Sequence, residues 1–366
     1  MDSRLCLFLI LLLPVLSHAG TTLQDIAFDN QRPLPERVAA IREITGISAD
    51  TPVERRLCIW DPNGRKGPVF MAANIQRARA LRYGVKLEVV PYTSESVITE
   101  ELKAGLCDAG LISGLRARLF NRYSGSVDAI GALPSAEHMR ILLEVLAHPR
   151  SADKMVSGDY VVLGIAPAGA AYVFVNDKRI NTLGKAAGKR VAVLDYDRTQ
   201  SQMVAAIGAT PVSTDLLTAP NKFNNGIVDV LPAPLAGYAL MELHKGMEPD
   251  GGIIDYPLTQ LTLQLIGRKD KFPNEVAQLI REEFYKSYDL IMARLRVEFQ
   301  KVPERWWIDI PEQDKQAYEV MMQDARLVLR EQGYYDPRML TLQRKIRCKL
   351  EPSRAECTNG ITRSRM

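Results

Sequence analysis

Histidine, cysteine and tryptophan are scarce in this 366-residue chain, at four, five and three copies. No two cysteines stand at short metal-binding spacing, and His138, His148 and His244 are scattered, so a zinc site has no ligand set to draw on. These histidines lie in or beside apolar helical stretches, where a satisfied structural role is commoner than a base. A Gly-x-Ser-x-Gly turn is also missing: the run Tyr123, Ser124, Gly125, Ser126 lacks the second flanking glycine of a serine-hydrolase elbow. No Walker-type phosphate loop occurs, and no sustained heptads that would build a coiled-coil hairpin. Neither sign of charge dominates, with 47 Lys and Arg against 43 Asp and Glu. The small positive excess gathers near the C-terminus, in Arg344, Lys345, Arg347, Lys349, Arg354, Arg363 and Arg365, without interleaved aromatics. That pattern argues against nucleic acid and predicts a solvated, partly disordered basic tail over residues 347–366. No cofactor and no metal are expected.

An apolar run opens the chain, where Arg4 precedes an apolar stretch over residues 5–16 and Ser17, His18 and Ala19 offer a small-x-small cleavage site. The stretch is shorter than the ~20 residues that span a bilayer, so residues 1–19 read as a removable signal peptide and the chain as exported to the periplasm. Cys6 lies inside that run, leaving Cys58, Cys107, Cys348 and Cys357. An even count suits an oxidising compartment. Cys348 and Cys357 are close enough to staple the tail, and Cys58 with Cys107 would tie a first strand to the one that follows Asp108. Free buried thiols are the alternative, since sequence does not fix pairing.

What is present is an echo. Twice a helix-like run ends at glycine, two residues pass, and an aspartate opens a short apolar strand: Gly105 then Asp108, and Gly226 then Asp229. Glycine supplies the left-handed conformation that closes a helix, and Asp can bond the turn just left. Each copy reads as a helix-to-strand step of an α/β domain. Strands are expected over residues 57–60, 85–91, 109–112, 190–194, 211–212 and 227–231. Helices are expected over 36–43, 69–82, 96–103, 136–147, 199–207 and 234–243, with Met71, Ile75, Ala78 and Leu81 as the inward face of the second. Residues 160–175 read as strands crossing between domains, 251–258 and 262–266 as segments that carry the chain back, and 273–346 as almost wholly helical. Alternation of this kind implies parallel sheets with right-handed crossovers.

The ordered set Gly184, Lys185, Gly188; Gly208, Pro211; Gly226, Asp229; Pro234, Leu235, with Gly105, Asp108 and Gly110 upstream, resembles the periplasmic solute-binding proteins of TRAP transporters (DctP type) over roughly residues 55–300. It resembles still more a branch of solute-binding proteins some of which are labelled RND-type efflux components. The resemblance implies an α/β, two-lobed (Venus-flytrap) periplasmic-binding-protein architecture with crossing strands and a helical C-terminal region. Its division is an extension over 20–54, lobe I over 55–164 plus 259–346, and lobe II over 165–258. It also implies a monomer that carries a small, often carboxylate-bearing solute to integral membrane transporter subunits. In that family an arginine after the Gly-Lys motif grips the carboxylate and an asparagine precedes the Pro-Leu pair; the matching positions here are Ala192 and Ala233.

Ligands of open α/β sheets sit beyond the carboxyl ends of strands. In the first domain those ends offer Trp60, Asp61 and Asn63, then Tyr92, then Ser113 and Arg116. In the second they offer Asp195, Tyr196, Asp197 and Arg198, with Ala233 beside them, and Tyr172 lies where crossing strands would floor the cleft. Arg116 and Arg198 are the candidate anion partners, Asp61, Asp195 and Asp197 could select a cationic or polyhydroxyl solute, and Trp60 and Tyr196 could stack. Asp197 could equally cap the helix that follows. A non-enzymatic small-solute binder is therefore expected, with an envelope accessory protein and a periplasmic enzyme as the rival classes.

Overall fold

The computed structural model describes residues 21–358 except Ala49 and the side chains of Arg198 and Thr358. The expected signal peptide lies outside the described residues. Ten strands share one mixed sheet: β1 Val53–Trp60, β2 Val85–Tyr92, β3 Ala109–Ser113, β4 Val156–Ser157, β5 Tyr160–Val175, β6 Arg190–Leu194, β7 Thr210–Thr214, β8 Val230–Pro234, β9 Gly252–Arg268 and β10 Trp307–Ile308. The main path runs β2-β1-β3-β9-β5-β8-β6-β7. β1 lies parallel to β2 and β3 in lobe I, and β6 parallel to β7 and β8 in lobe II. Joining them are β5 and β9, antiparallel to each other over almost their whole length. At ~3.3 Å per residue each is long enough to belong to both lobes.

The hinge region of this pair is written in the sequence. Register slips occur at Val162/Gly164, Pro167/Gly169 and Ala171/Val173. Pro167 cannot donate to a ladder, and Gly169 takes φ +86°, where an added Cβ would come within 2.8 Å of the Phe299 ring. The crossing strands therefore bend where the lobes meet.

The predicted echo exists, with a different bond. Gly105 (φ 77°) and Gly226 (φ 67°) are both left-handed. Asp108 accepts from Arg56 N at 2.8 Å while its own N–H donates to Arg56 O, and Asp229 does the same with Arg190 (2.8 Å each way). The carboxylate thus seals the neighbouring parallel strand instead of the turn it has just left.

Three sequence expectations shift. The helix Pro68–Arg82 turns Phe70 inward, with Val69, Ala73 and Ala80, and leaves Met71, Ile75 and Leu81 exposed at 57, 72 and 48%. Its rotation is set at both ends: Asp61 accepts the N–H groups of Val69 and Phe70, and Arg77 Nε donates to Leu87 O. The strand expected over 227–231 instead runs Val230–Pro234, and the helix expected over 234–243 shrinks to Gly237–Leu240. Pro232 and Pro234 are tolerated because Leu235 N donates to Ala170 O on β5. By alternation the proline nitrogens face β6, whose pairing with β8 stops at Val191–Val230.

C-terminal helices Glu312–Glu331 and Pro337–Leu350 brace the loop between β3 and the helix Ala136–Ala147. Arg326 donates to Ile130 O, Gln343 to Ser126 O and Val127 O, and Arg347 to Ala132 O. The tail expected to be solvated and partly disordered is instead folded as helix to Leu350 and again from Ala355, though Lys349, Pro352, Ser353 and Ala355 stay exposed. Arg347 is buried because Glu356 grips its guanidinium at 2.6 and 2.8 Å, and a Cys348–Cys357 disulfide pins the last short helix. The second disulfide, Cys58–Cys107, joins β1 to the residue two before β3.

Candidate functional site between the lobes

The carboxyl ends of β1 and β3 in lobe I and of β6, β7 and β8 in lobe II border a cavity of about 1700 Å3 that continues beneath the helices Pro68–Arg82 and Tyr288–Phe299. Its walls are mainly apolar, with small residues at 166–168 and 232–234, Ala171 and Ala192 beside larger ones such as Leu194. Near the strand ends its polar groups are Ser113, Arg118, Asp128 and Thr262 from lobe I and the crossing strand, Asp197, Thr199 and Thr214 from lobe II, and Tyr334 from the C-terminal region; Arg42, Arg55, Arg79, Lys271, Arg294 and Lys301 border it as well.

Lobe I presents two arginines, both already engaged. Ser113 donates its N–H and its hydroxyl (3.1 Å) to the buried Glu95. Arg116 Nε stands 3.6 Å from Glu95, an ion pair without a hydrogen bond. Burial pushes the Glu95 carboxyl up, opposed by the Ser113 N–H and by Arg116. Arg118 donates through Nε and Nη2 to Gly125 O and lies over the rings of Tyr334 (4.0 Å) and Tyr335 (5.1 Å). Asp128 is buried, its two oxygens accepting from Thr262 N (3.0 Å) and Thr262 Oγ1 (2.6 Å), and burial raises its pKa to about 7.

Lobe II answers with the turn after β6. Tyr196 lays its ring over Arg116, 3.8 Å from the guanidinium carbon to the ring centroid. Burial drives the Tyr196 hydroxyl well above its ordinary pKa, and that hydroxyl has no hydrogen-bond partner among the described residues. Asp197 caps the helix Arg198–Ala206 by accepting from Thr199 N and Gln200 N, and its second oxygen accepts from Tyr334 Oη at 2.5 Å. These contacts close the lobes on each other at one end of the cavity.

The sequence candidates fall into two groups. Trp60, Ser113, Asp197 and Ala233 line the cavity, and Arg116 and Tyr196 close it. Away from it are Asp61, whose oxygens accept from Asn63, Val69 and Phe70 backbone N–H groups; Asn63, exposed beside it; and Tyr92, bonded to Glu101. Tyr172 turns into the lobe II core against Trp307 (5.4 Å), because neighbours Ala171 and Val173 take the cavity side of the strand. Asp195 is exposed at the end of β6, and the Arg198 side chain is not among the described residues. Sequence reasoning missed Glu95, Arg118, Asp128, Thr262 and Tyr334. Glu95 had a signal, since it opens the helix that follows β2; Tyr334 had none, because it reaches the site from the far C-terminal region.

Comparisons with known proteins agree with this geometry. The family model described as "Solute-binding protein AdeT 1/2" matches residues 45–360. The probable solute-binding protein AdeT1 of Acinetobacter baumannii is 40% identical over 82% of this chain and 98% of its own length. Among solved structures, a TRAP periplasmic solute-binding protein from Desulfovibrio salexigens with bound orotic acid has TM-score 0.67 at 15% identity, covering 81% of this chain and 99% of that one. Another from Sulfitobacter sp. NAS-14.1, with bound β-D-galacturonate, has TM-score 0.64 at 17% identity, over 81% and 99%. The chain therefore has the two-lobed fold of TRAP solute receptors.

Proposed function

Because the chain belongs to the AdeT 1/2 family of solute-binding proteins, we propose that it works as a periplasmic monomer that captures a small solute between its lobes and delivers it unaltered to integral membrane transporter subunits. The observation that carries this is the Arg116–Tyr196 contact between the lobes with a large cavity behind it. A solute that touches both sides of that cavity favours the shut state, which is the thermodynamic content of hinge closure. The structural neighbours hold orotate and galacturonate, yet here Ala192 and Ala233 replace the arginine and asparagine that the TRAP resemblance leads one to expect. Arg116 is committed to Glu95 and Tyr196; of the several cations that border the cavity, Arg118 is the one beside Ser113 on the segment after β3, bonded to Gly125 O and stacked on Tyr334. The solute we infer has an apolar body against the alanine and proline walls and a single anionic group against Arg118.

The test is a thermal-shift screen of the purified mature protein. A ligand that binds only the folded state raises the melting temperature when present well above its dissociation constant. Apolar-bodied monocarboxylates are expected to stabilise the protein and succinate-type dicarboxylates to leave it unchanged. Stabilisation by dicarboxylates would reverse the solute class. No stabilisation by any acid, amine or sugar would instead favour an accessory role without solute carriage.

A further inference from the structure

The helix Pro68–Arg82 buries Val69, Phe70, Ala73 and Ala80 and carries a second apolar set on its outer side. Met71, Ile75 and Ala78 recur at helical spacing on the outer surface, with Leu81 beside them, and nothing among the described residues covers that stripe. Apolar side chains scattered singly on a surface need no explanation; a stripe that follows the helical period does. Its electrostatic setting is one-sided. From residue 62 to residue 87 there is no Asp or Glu, while Arg65, Lys66, Arg77, Arg79, Arg82 and Lys86 all fall there. Arg79 is paired with Glu283 and Lys86 with Glu54. Arg65, Lys66, Arg77 and Arg82 have no carboxylate partner among the described residues, and all four are exposed.

We propose that the outer face of this helix docks the protein on an anionic lipid surface, with Met71, Ile75 and Leu81 dipping among the acyl chains and the unpaired cations meeting lipid phosphates. A basic amphipathic helix lying in the interfacial plane combines these two ingredients. Charge complementarity selects the occupant. The cations flank the stripe and lie at both ends of the helix, so they make a diffuse positive field, and the stripe has no aromatic anchor of its own, although Ile75 stands at the rim of the cavity that runs beneath the helix. A protein partner with directional hot spots would find little to grip. The Arg79–Glu283 pair and the Asp61 cap hold the helix to lobe I, so docking would bring lobe I to the bilayer as a rigid unit. A solute carrier held loosely at the membrane surface searches for its transporter in two dimensions instead of three.

The experiment is co-sedimentation of the full mature protein with vesicles of phosphatidylcholine alone and of equal parts phosphatidylcholine and phosphatidylglycerol. Binding to the anionic vesicles, weakened by raised salt and absent on phosphatidylcholine, is expected. Reversing the free cations one by one (Arg65→Glu, Lys66→Glu, Arg82→Glu) should each lower partitioning roughly five-fold. Ile75→Asp should lower it roughly ten-fold, while Val320→Asp, another exposed apolar site (59% against 72%) on a different helix, should leave it unchanged. Melting temperature, measured on every variant, separates lost docking from lost folding. The proposal is overturned if the folded wild type ignores both vesicles, if it binds both equally, or if the triple cation reversal binds as well as wild type. The first of those outcomes would leave a protein contact as the use of the face.

Discussion

The guanidinium carbon of Arg116 in lobe I lies 3.8 Å from the ring centroid of Tyr196 in lobe II, and Glu95 stands 3.6 Å behind it. A cation over a desolvated ring is stabilised by ~2 kcal/mol, so this pair biases the lobes toward closure even before solute arrives. Tyr196→Ala removes the ring and leaves Arg116 with Glu95. The expected outcome is a larger radius of gyration by small-angle X-ray scattering without solute. Tyr196→Phe should scatter like wild type, because the Tyr196 hydroxyl has no partner to lose. Identical scattering from Tyr196→Ala and wild type would mean that other contacts set the closed state.

Asp128 ties the loop after β3 to the crossing strand β9 through Thr262, and its burial sets a pH dependence. Its folded pKa of about 7 lies above the ordinary 3.8. Between those values the native state keeps a proton that the unfolded chain has released, so stability falls as pH rises through the window and levels off above it. Asp128→Asn cannot ionise and keeps an acceptor for Thr262. Its stability advantage over wild type in urea denaturation should grow from about pH 4 to about pH 7 and then stay constant. Parallel curves at every pH would remove Asp128 as the source.

The two disulfides should differ in weight because they close loops of different length. Cys58–Cys107 spans 49 residues of sequence and Cys348–Cys357 spans 9. On loop-closure entropy, losing the first costs ~4 kcal/mol and losing the second ~2.7 kcal/mol. Paired Cys→Ser variants measured by denaturant midpoint check the order. The Cys348/Cys357 variant should also expose Arg347 and Glu356, since the bridge is what holds their short helix in place. Faster proteolysis near the C-terminus would report it.

Much of the architecture was legible because it rests on local chemistry. Gly105 and Gly226 mark helix ends by conformational need, Asp108 and Asp229 mark strand starts, and Pro167 with Gly169 mark the bend of the crossing strand. The rotation of the helix Pro68–Arg82 was not legible. Apolar period alone chose Met71 and Ile75 for the inside, whereas the Asp61 cap and the Arg77 bond fix the opposite face. The strand ends carried Ser113, Arg116, Tyr196 and Asp197 to the site, as open α/β topology requires. Nothing in the neighbourhood of Tyr334 announces that it reaches Asp197 from 137 residues away. Which candidates face the cavity depends on the parity of bulged strands, and that parity sent Tyr172 to the core.

Ala192 offers the sharpest test of how this site departs from a dicarboxylate receptor. It sits in the middle of β6, 5% exposed, lining the cavity within the lobe II cluster that holds Phe174 and Leu231. Ala192→Arg places a guanidinium at the position where the TRAP resemblance expects one. Without a ligand the new charge is buried and unpaired, a cost of several kcal/mol, so the variant should melt well below wild type. Added succinate should recover part of that loss in the variant and do nothing for wild type, because a bidentate carboxylate partner is available only after the substitution. If succinate stabilises wild type and variant alike, Arg118 or another cation already serves dicarboxylates, and the apolar-bodied solute class falls. If succinate rescues neither, residue 192 does not face the bound solute, and the solute must lie nearer the Arg118 side of the cavity.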